Sequence, residues 1–467
     1  VTGQDDDSTA DGNQPYSINI GAAKSTDKNY SGKQPAAVAV TNLDNDTPDI
    51  IVSATKGQTS EDGKETLTFT IYLLSKPKAD VTVPISSSNE DEGTVSKSSL
   101  LFTGVNWGNK QSVTVTGVND SVVDGDAPYT VVIGAPTTTD SAYAAIDPAD
   151  ITMKNVDDDT AGIVVSDAAG HTTEAGGTTT FTVRLRSKPT ANVTIKLSSS
   201  DNTEGTTMAS VVLTPSDWDN DHVVTVHGED DDVQDEAQPY TILTMPAEST
   251  DGNYNGMVGK DVAVINDDND TAGYTNGTPS GDTSEDGGTA TFTVVLNSQP
   301  TDDVSIPISS SNTDEGSLQG VATVDFTTAN WKIPKTVTVK GVNDDVKDGN
   351  AEYTIVLGKP TTTDVNYAKL NPPDVTLFNV DNDSAALSID MLSSNVTTEA
   401  GGTITFNVTL TSKPKSTVTV PVVSSDELEG VVTTPGTGSL TFDATNWSTA
   451  HAVTITGVND AMVDGDR

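Results

Sequence analysis

The chain has 467 residues, of which 68 are acidic and 24 basic, and its formal net charge is −44. This charge would repel nucleic acid and anionic membrane surfaces, which excludes both as partners. Cysteine is absent, which excludes disulfides and thiol chemistry. No stretch reaches the roughly 20 apolar residues of a membrane-spanning helix, so we expect no membrane insertion.

The length alone predicts about three or four domains, and recurring motifs give their borders. One tryptophan and one acidic triplet recur about every 113 residues. The tryptophans are Trp107, Trp218, Trp331 and Trp447, and the triplets end at Asp46, Asp159, Asp270 and Asp383. This period predicts the back part of a repeat (1–46), three full repeats (47–159, 160–270 and 271–383) and the front part of another (384–467).

Within the first full repeat, apolar and polar residues alternate in short segments, a pattern typical of β-strands with one buried face. In chain order the predicted strands are A near 50–53, B 66–73, C 80–86, D 98–102, E 111–117, F 128–134 and G 150–156. Turn residues separate them, and no segment has a sustained helical period. We therefore predict an all-β chain of tandem immunoglobulin-like, seven-strand antiparallel β-sandwiches in a linear array.

Two aromatic positions recur in these predicted sandwiches. The tryptophan before strand E is interpreted as a plug of the core rather than as a platform for a ligand. A tyrosine near the start of strand F resembles the tyrosine corner of immunoglobulin-like domains. The tyrosines are Tyr16, Tyr129, Tyr240 and Tyr353.

Apart from a few acids between strands F and G, notably Asp140, Asp147 and Asp150, most acidic residues of the first full repeat occur in four places: before strand B, after strand C, between strands E and F, and after strand G. They are Glu61, Asp62, Glu90, Asp91, Glu92, Asp120, Asp124, Asp126, Asp157, Asp158 and Asp159. Because the chain reverses direction at each strand of such a sandwich, these four places lie at one end. Each predicted sandwich therefore has one strongly anionic pole.

A pole of this kind is unfavourable by itself, because like charges at short range raise carboxyl pKa values and oppose compaction. Calcium would relieve the repulsion, since Ca²⁺ takes about six to eight oxygen ligands, whereas Mg²⁺ prefers a rigid octahedron. Zinc is disfavoured, because there are only four histidines and, apart from His227, none lies near these acidic clusters in sequence. The acidic turn at 341–350 does not fit an EF-hand, because Val346 stands two residues after Asp344. The alternative is that acidic turns only solvate the surface.

In combination, these motifs resemble the Calx-beta repeat, in the variant found in tandem in large bacterial surface proteins. One motif is the glutamate ahead of strand B, at Glu61, Glu174, Glu285 and Glu399. The others are the N-D-x-V-x-D-G turn before the strand F tyrosine and the closing D-[DN]-D triplet. The resemblance implies immunoglobulin-like sandwiches that bind several calcium ions at the end that faces the next domain.

The resemblance also implies three ligand sets. At the first junction these are Glu61, Asp120, Asp124, Asp126, Asp157, Asp158 and Asp159; at the second, Glu174, Asp230, Asp231, Asp235, Asp268 and Asp270; at the third, Glu285, Asp344, Asp348, Asp381 and Asp383. Two departures from the family pattern occur. The second full repeat has QDE at 234–236, where its neighbours have VDGD or KDGN. The family's acid between strands C and D alternates between asparagine and aspartate, at Asn89, Asp201, Asn312 and Asp426.

No Ser-His-Asp or Cys-His set recurs, and we predict that the chain is not an enzyme. The linkers after each triplet are short, so calcium at the acidic pole would couple neighbouring repeats. Extracellular calcium modules bind at about 10⁻⁴ to 10⁻³ M, which suits the bacterial cell surface. We predict a calcium-binding structural segment of an extracellular stalk or filament. The alternatives are an adhesin whose repeats bind a receptor or glycan and a scaffold joined to an enzyme.

The two partial repeats, 1–46 and 384–467, have complementary sets of predicted strands. One interpretation is head-to-tail self-assembly, in which the 384–467 part of one chain completes the 1–46 part of another by strand pairing. The simpler alternative is that the chain comes from a longer array of repeats.

Overall fold

The computed structural model describes residues 1–5 and 9–459. Most of the last copy of the acidic turn, at 457–467, lies outside the described residues. The described residues form β-strands joined by turns, with one short 3₁₀ helix at Tyr367–Lys369. Among them, no helix is long and apolar enough to cross a membrane.

The chain begins with a two-stranded hairpin within the predicted partial repeat. Strand β1 (Gln14–Ile18) pairs with β2 (Val38–Asn42) in antiparallel register, with Tyr16 opposite Val40. These strands correspond to the predicted strands F and G of a full repeat.

Two sheets form the first full repeat. Its strands are β3 (Ile50–Val52), β4 (Thr59–Ser60), β5 (Thr66–Leu73), β6 (Val81–Ser87), β7 (Gly93–Val95), β8 (Ser99–Phe102), β9 (Gln111–Gly117), β10 (Ala127–Ile133) and β11 (Ile151–Val156). One sheet has the order β3-β5-β9-β7, and the other has the order β4-β11-β10-β6-β8.

The core of this repeat combines alternate residues from both sheets. Phe69 on β5 and Val113 on β9 share one buried cluster with Val83 on β6 and Val131 on β10. Successive side chains of a strand point to opposite faces of its sheet, so the alternation in the sequence gives each sheet one buried face. The tryptophan of the repeat, Trp107, packs at the margin of this cluster.

Strands A and D each form two short strands in different sheets, unlike the single strands expected from the sequence. Strand A divides into β3, which pairs with β5, and β4, which runs parallel to β11. Strand D divides into β7, which pairs with β9, and β8, which pairs with β6. Strands of two to four residues contain too few alternations for a period of two to be visible.

The next two full repeats have the same nine strands in the same order. In the second they are β12 (Ile163–Val165), β13 (Thr172–Thr173), β14 (Thr178–Leu185), β15 (Val193–Ser199), β16 (Gly205–Thr207), β17 (Ser210–Leu213), β18 (His222–Gly228), β19 (Gln238–Thr244) and β20 (Val262–Asp267). In the third they are β21 (Tyr274–Asn276), β22 (Thr283–Ser284), β23 (Thr289–Leu296), β24 (Val304–Ser310), β25 (Gly316–Leu318), β26 (Thr323–Phe326), β27 (Lys335–Gly341), β28 (Ala351–Leu357) and β29 (Val375–Val380).

The segment from residue 384 to residue 459 has only the front strands of a repeat. They are β30 (Leu387–Met391), β31 (Thr403–Leu410), β32 (Val418–Pro421), β33 (Gly430–Thr434), β34 (Ser439–Phe442) and β35 (His451–Gly457). Leu387 is 49% exposed, whereas Ile50, its counterpart in the first full repeat, is 5% exposed. Head-to-tail self-assembly, in which the 384–467 part of one chain completes the 1–46 part of another, stays a prediction.

The chain divides into two compact units. Unit 1 contains Val1–Thr172, Gly177–Gly228 and Pro239–Ile265; unit 2 contains Thr173–Gly176, Glu229–Gln238 and the chain from Asn266 onward. The acidic turn of the second full repeat, Glu229–Gln238, therefore groups with the repeat that follows it. The predicted all-β architecture of tandem immunoglobulin-like sandwiches is confirmed.

Candidate metal centre

Each closing triplet forms an Asx turn directly after the last strand of its repeat. In the first full repeat the amide of Asp159 donates to Oδ1 of Asp157 at 2.8 Å. The same bond, at 2.7 Å, joins Asp270 to Asp268 and Asp383 to Asp381. The turn fixes the third aspartate of each triplet beside the first.

The first aspartate of each triplet has a second carboxylate oxygen, Oδ2, which binds the loop between strands E and F. We call this loop the E–F loop. The amide of Gly125 donates to Oδ2 of Asp157 at 2.8 Å, and that of Gly349 donates to Oδ2 of Asp381 at 2.6 Å. Both glycines have φ near +80° (80° and 83°), a backbone conformation that glycine adopts without steric cost. Two acidic segments of each repeat are thereby joined at one point.

The second full repeat makes this connection with a glutamate instead of a glycine. Glu236 has a φ of 69°, and its amide donates to Oδ2 of Asp268 at 2.8 Å. A side chain in this left-handed conformation costs about 1–2 kcal/mol. The QDE sequence therefore keeps the hydrogen bond, with backbone strain at Glu236.

Within the E–F loop, one aspartate of each repeat caps its own turn. Oδ1 of Asp120 accepts from the amide of Val122 at 2.7 Å. Asp231 and Asp344 make the equivalent bonds to Val233 and Val346. These three aspartates are held in place by the backbone of the loop that carries them.

A buried glutamate completes the arrangement in each full repeat. The amide of Glu61 donates to the carbonyl of Val156 at 3.1 Å, which continues the parallel pairing of β4 with β11 by one residue. Glu174 and Glu285 occupy the same position, and all three side chains are 4–5% exposed. Strand pairing therefore places a carboxyl group at the base of the triplet.

These elements bring carboxylate oxygens close enough to share an ion. Such groups include Glu61, Asp157 and Asp159; Glu174, Asp230 and Asp270; Glu285, Asp344 and Asp383; and Glu315, Asp344 and Asp348. In each group, one oxygen from every residue lies within 4.8 Å of the others. Calcium–oxygen distances are about 2.3–2.6 Å, so two oxygens on opposite sides of one ion are about twice that distance apart. The separations within these groups are therefore compatible with a shared calcium ion.

The electrostatics of the groups show uncompensated negative charge. Burial, together with the charges of Asp120 and Asp157, raises the pKa of Glu61 to about 7. Burial likewise raises the pKa of Glu174 to about 7, with the charge of Asp268 contributing. The pKa values of Asp159, Asp270, Asp383, Asp124 and Asp235 are also raised, with burial as the largest cause.

Several of these oxygens are buried and have no hydrogen-bond partner among the described residues. They are Oε2 of Glu61, Oδ2 of Asp159, Oδ1 of Asp235 and Oδ2 of Asp383. A buried carboxylate oxygen without a partner is costly, because it has lost its water. Hard oxygen donors arranged in this way fit a bound calcium ion.

A further glutamate, which the predicted ligand sets did not include, approaches the group of the third full repeat. Oε2 of Glu315 accepts from the side-chain amide of Asn379 at 3.3 Å. Asn379 is buried and also donates to the carbonyl of Val342 at 2.8 Å. The signal in the sequence is a Glu-Gly pair before strand D, at Glu92, Glu204, Glu315 and Glu429.

The glycine of that pair is required by the recurring tyrosine. A Cβ atom on Gly316 would lie 2.2 Å from the ring of Tyr353, and one on Gly93 would lie 2.4 Å from the ring of Tyr129. The tyrosine hydroxyl meets a threonine side chain, at 2.9 Å between Tyr353 and Thr283. The resemblance to a tyrosine corner therefore extends to a hydrogen bond at the base of the acidic group.

The alternating residue between strands C and D has a structural role that both residue types perform. Oδ1 of Asn89 accepts from the amide of Asp91 at 3.1 Å, and Oδ1 of Asp201 accepts from Thr203 at 3.0 Å. Asn312 and Asp426 make the same turn. Since an amide oxygen and a carboxylate oxygen accept this bond equally well, the alternation does not disturb the turn.

Four predicted ligands lie next to a lysine. Asp126 pairs with Lys154 at 2.7 Å, and Asp348 lies 3.7 Å from the ammonium of Lys415. Asp381 pairs with Lys347, and Asp158 contributes to a raised pKa of Lys64. Of the remaining ones, Asp120 and Asp124 lie close enough to Glu61, and Asp231 and Asp268 lie close enough to Asp235, to add to the rise in pKa that burial causes there.

The E–F loop also contacts the repeat that follows it. Within unit 1, the amide of Lys188 donates to the carbonyl of Ser121 at 2.6 Å, and the side-chain amide of Asn253 donates to the carbonyl of Val123 at 2.8 Å. The donors lie in the turn after strand B and in the loop between strands F and G. Hydrogen bonds thus connect an acidic loop to the head of its neighbour.

Unit 2 repeats this arrangement. The amide of Gln299 donates to the carbonyl of Asp232 at 2.6 Å, and the side chain of Asn366 donates to the carbonyl of Gln234 at 2.7 Å. The amide of Lys413 donates to the carbonyl of Asp345 at 2.8 Å. The turn after strand B is therefore a recurrent docking point for the preceding acidic loop.

A comparison with known protein families agrees with this fold. The family model of the Calx-beta domain matches residues 44–160, 266–384 and 381–467, which together make up more than half of the chain. A search of curated proteins found no match.

The solved structures that match the chain include the crystal structure of CBD12 from CALX1.2, with 14% identity and a TM-score of 0.24, covering 46% of this chain and 96% of that one. The calcium binding domain CBD12 of CALX1.1 has 14% identity and a TM-score of 0.22, covering 43% and 81%. Domains 4–9 of the surface layer protein SbsC have 13% identity and a TM-score of 0.22, covering 93% and 68%.

Proposed function

Because the chain belongs to the Calx-beta domain family, we propose that its acidic poles bind calcium and that the bound ions stiffen the joints between successive repeats. One observation carries this proposal. The E–F loop contributes carboxylates to the acidic group and accepts hydrogen bonds from the next repeat, as Val123 does from Asn253 at 2.8 Å. Anything that orders the loop also orders the joint.

The residues that would hold the ions are those of the acidic groups. In the first full repeat they are Glu61, Asp157 and Asp159, with Asp120 and Asp124 beside them. Bound calcium supplies positive charge and vacant coordination positions for carboxylate oxygens. The buried, unpartnered oxygens of Glu61 and Asp159 would then be ligands of a cation, which would replace the water that they lost.

Without a bound ion, hydrogen bonds alone would hold the acidic loops in place against the repulsion between their carboxylates. The E–F loop is attached to the triplet by the bond from Gly125 to Asp157. Burial raises the pKa of Asp124, and repulsion from Asp120 and Asp157 adds to this rise. Few groups oppose local opening of such a loop, and segments of this kind are the first to fluctuate. Calcium removal would therefore free the joint before it unfolds the sandwich.

We place this function outside the cell, in a structural segment of a surface stalk or filament of a bacterium. The net charge of −44 keeps such chains apart in solution. Affinities of about 10⁻⁴ to 10⁻³ M, typical of extracellular calcium modules, would keep the sites filled outside a cell and empty in the cytosol. Neighbouring repeats are the partners that this role requires.

The test is small-angle scattering of the whole chain during a calcium titration. We expect the scattering of a flexible chain in chelator and of a stiff, more extended chain in calcium. The variant Asp348→Ala should loosen only the joint after the third full repeat. An unchanged scattering profile between chelator and millimolar calcium would overturn the proposal.

A further inference from the structure

The acidic group of the third full repeat contains a positive charge of its own. The ammonium of Lys347 forms an ion pair and a hydrogen bond with Oδ2 of Asp381. The side chain of Asp381 is 1% exposed, and that of Lys347 is 46% exposed. A buried carboxylate of the triplet is therefore already paired with a cation that belongs to the protein.

The position of Lys347 in the E–F loop distinguishes the third repeat from the other two. The equivalent residues are Val123 in the first repeat and Gln234 in the second, and neither carries a charge. The partner of Lys347 is equivalent to Asp157 and Asp268, which hold the E–F loop in the same way. Between residues 9 and 459, neither of those two aspartates has a lysine or arginine as an ion-pair partner.

A second ammonium approaches the same group from the next repeat. Lys415, in the turn after strand B, lies 3.7 Å from Oδ2 of Asp348. The counterparts of Lys415 at the two preceding joints are Thr190 and Thr301. Two tethered cations thus face the third acidic group, in addition to the hydrogen bonds of the E–F loop.

The charge of Lys347 acts on the whole group. The hydrogen bond from Lys347 is the largest cause of the low pKa of about 2 for Asp381, and the positive charge of Lys347 adds to it. The charges of Asp381, Asp348 and Glu285 in turn favour the protonated lysine. An opposite charge at this distance lowers the repulsion among carboxylates and also opposes the entry of a second cation.

From this geometry we infer that Lys347 is a built-in counter-ion, which keeps the third acidic group ordered without calcium and weakens its affinity for calcium relative to the first group. The inference rests on the proposed function, since it concerns the same sites. The joints of one chain would then bind and release calcium at different calcium concentrations. As calcium falls, the first joint would still be loaded when the third had already released its ion.

The experiment is hydrogen exchange of the full-length chain across a calcium titration, because peptides from 117–126 and 341–350 report on the two loops separately. We expect half-maximal protection of 341–350 at a higher calcium concentration than that of 117–126. Lys347→Gln introduces the residue that the second repeat has at this position. It should lower the calcium concentration that gives half-maximal protection of 341–350 roughly tenfold. In chelator, the same variant should make 341–350 exchange faster.

The reciprocal variant Val123→Lys should raise the calcium concentration needed for 117–126 by a similar factor. Lys359→Gln, an exposed lysine of the third repeat, controls for the loss of one positive charge. If Lys347→Gln leaves the calcium dependence of 341–350 unchanged, the inference is wrong while the proposed function stands. If no loop gains protection from calcium, the proposed function itself fails.

Discussion

The amide of Gly125 donates a hydrogen bond of 2.8 Å to Oδ2 of Asp157, and this contact joins two segments that are 32 residues apart. One carries the aspartates of the E–F loop and the other carries the closing triplet. The equivalent bond from Gly349 to Asp381 shows that the connection belongs to the repeat and not to one copy. The acidic pole is thus held together by hydrogen bonds from backbone amides of the E–F loop to the first carboxylate of the triplet.

Acidification should stabilise the calcium-free chain. The folded-state pKa of Glu61 and of Glu174 is about 7, above the ordinary value of 4.5, so between these values the folded chain binds more protons than the unfolded one. Stability therefore falls as pH rises through this window. We expect the melting temperature in chelator to be higher at pH 5.5 than at pH 8 by about 5 °C.

Calcium should reverse this pH dependence, because the ion binds the ionised carboxylates. In saturating calcium, the melting temperature should rise between pH 5.5 and pH 8. Calorimetry at the two pH values, with chelator and with calcium, measures the pH dependence of the melting temperature in both conditions. A melting temperature in chelator that rises with pH would contradict the raised pKa values.

Replacement of Glu61 by glutamine should have opposite effects with and without calcium. At pH 8, above the raised pKa of Glu61, Glu61→Gln removes a buried negative charge while it keeps the shape of the side chain, so the calcium-free repeat should gain about 1 kcal/mol. In calcium the variant lacks a charged ligand, and its affinity should fall at least tenfold, or about 1.4 kcal/mol. Chemical denaturation in chelator and in calcium gives the two free energies of unfolding.

The matched control is Glu90→Gln, since Glu90 is exposed and outside the acidic groups. It should change neither free energy by more than about 0.5 kcal/mol. Equal destabilisation by Glu61→Gln in both conditions would mean that Glu61 has only a structural role.

Relief of the backbone strain in the second full repeat should stabilise it. Glu236 has a φ of 69° where the other full repeats have glycine. We expect Glu236→Gly to raise the free energy of unfolding by about 1 kcal/mol. The midpoint of urea denaturation, followed through the second repeat, measures the change.

The converse substitution tests the same explanation in the first repeat. A Cβ on Gly125 would meet no atom within 4 Å, so Gly125→Ala should destabilise through its φ of 80° alone, by about 1 kcal/mol. No change in either variant would show that these positions tolerate any residue.

The order of the E–F loop at the joint between the first two full repeats should depend on the side-chain amide of Asn253. Asn253→Ala removes the hydrogen bond to the carbonyl of Val123, and the first full repeat has Ala142 at the equivalent position. We expect faster hydrogen exchange in 117–126 in saturating calcium and an unchanged number of bound ions. Asn366→Ala should do the same only in 228–237, and an effect of either variant on both loops would argue against separate joints.

Much of the fold was predictable because its information is local. Alternation of apolar residues gave strands B and E at the residues where β5 and β9 lie, since a strand of seven or eight residues shows several alternations. The halves of strands A and D were missed because β4 and β7 contain two and three residues. Their assignment to opposite sheets depends on partners far along the chain.

The sequence by itself determined the repeat, the sandwich and the placement of acids at one pole. Those features follow from a period of two within strands and from the reversal of the chain at each strand. The tertiary structure alone decided which acids form groups, that Glu315 approaches one of them, and that Asp126 and Asp381 pair with Lys154 and Lys347. The physical reason is that these contacts join side chains about 30 to 100 residues apart, and strand register, which no local pattern encodes, sets their distances.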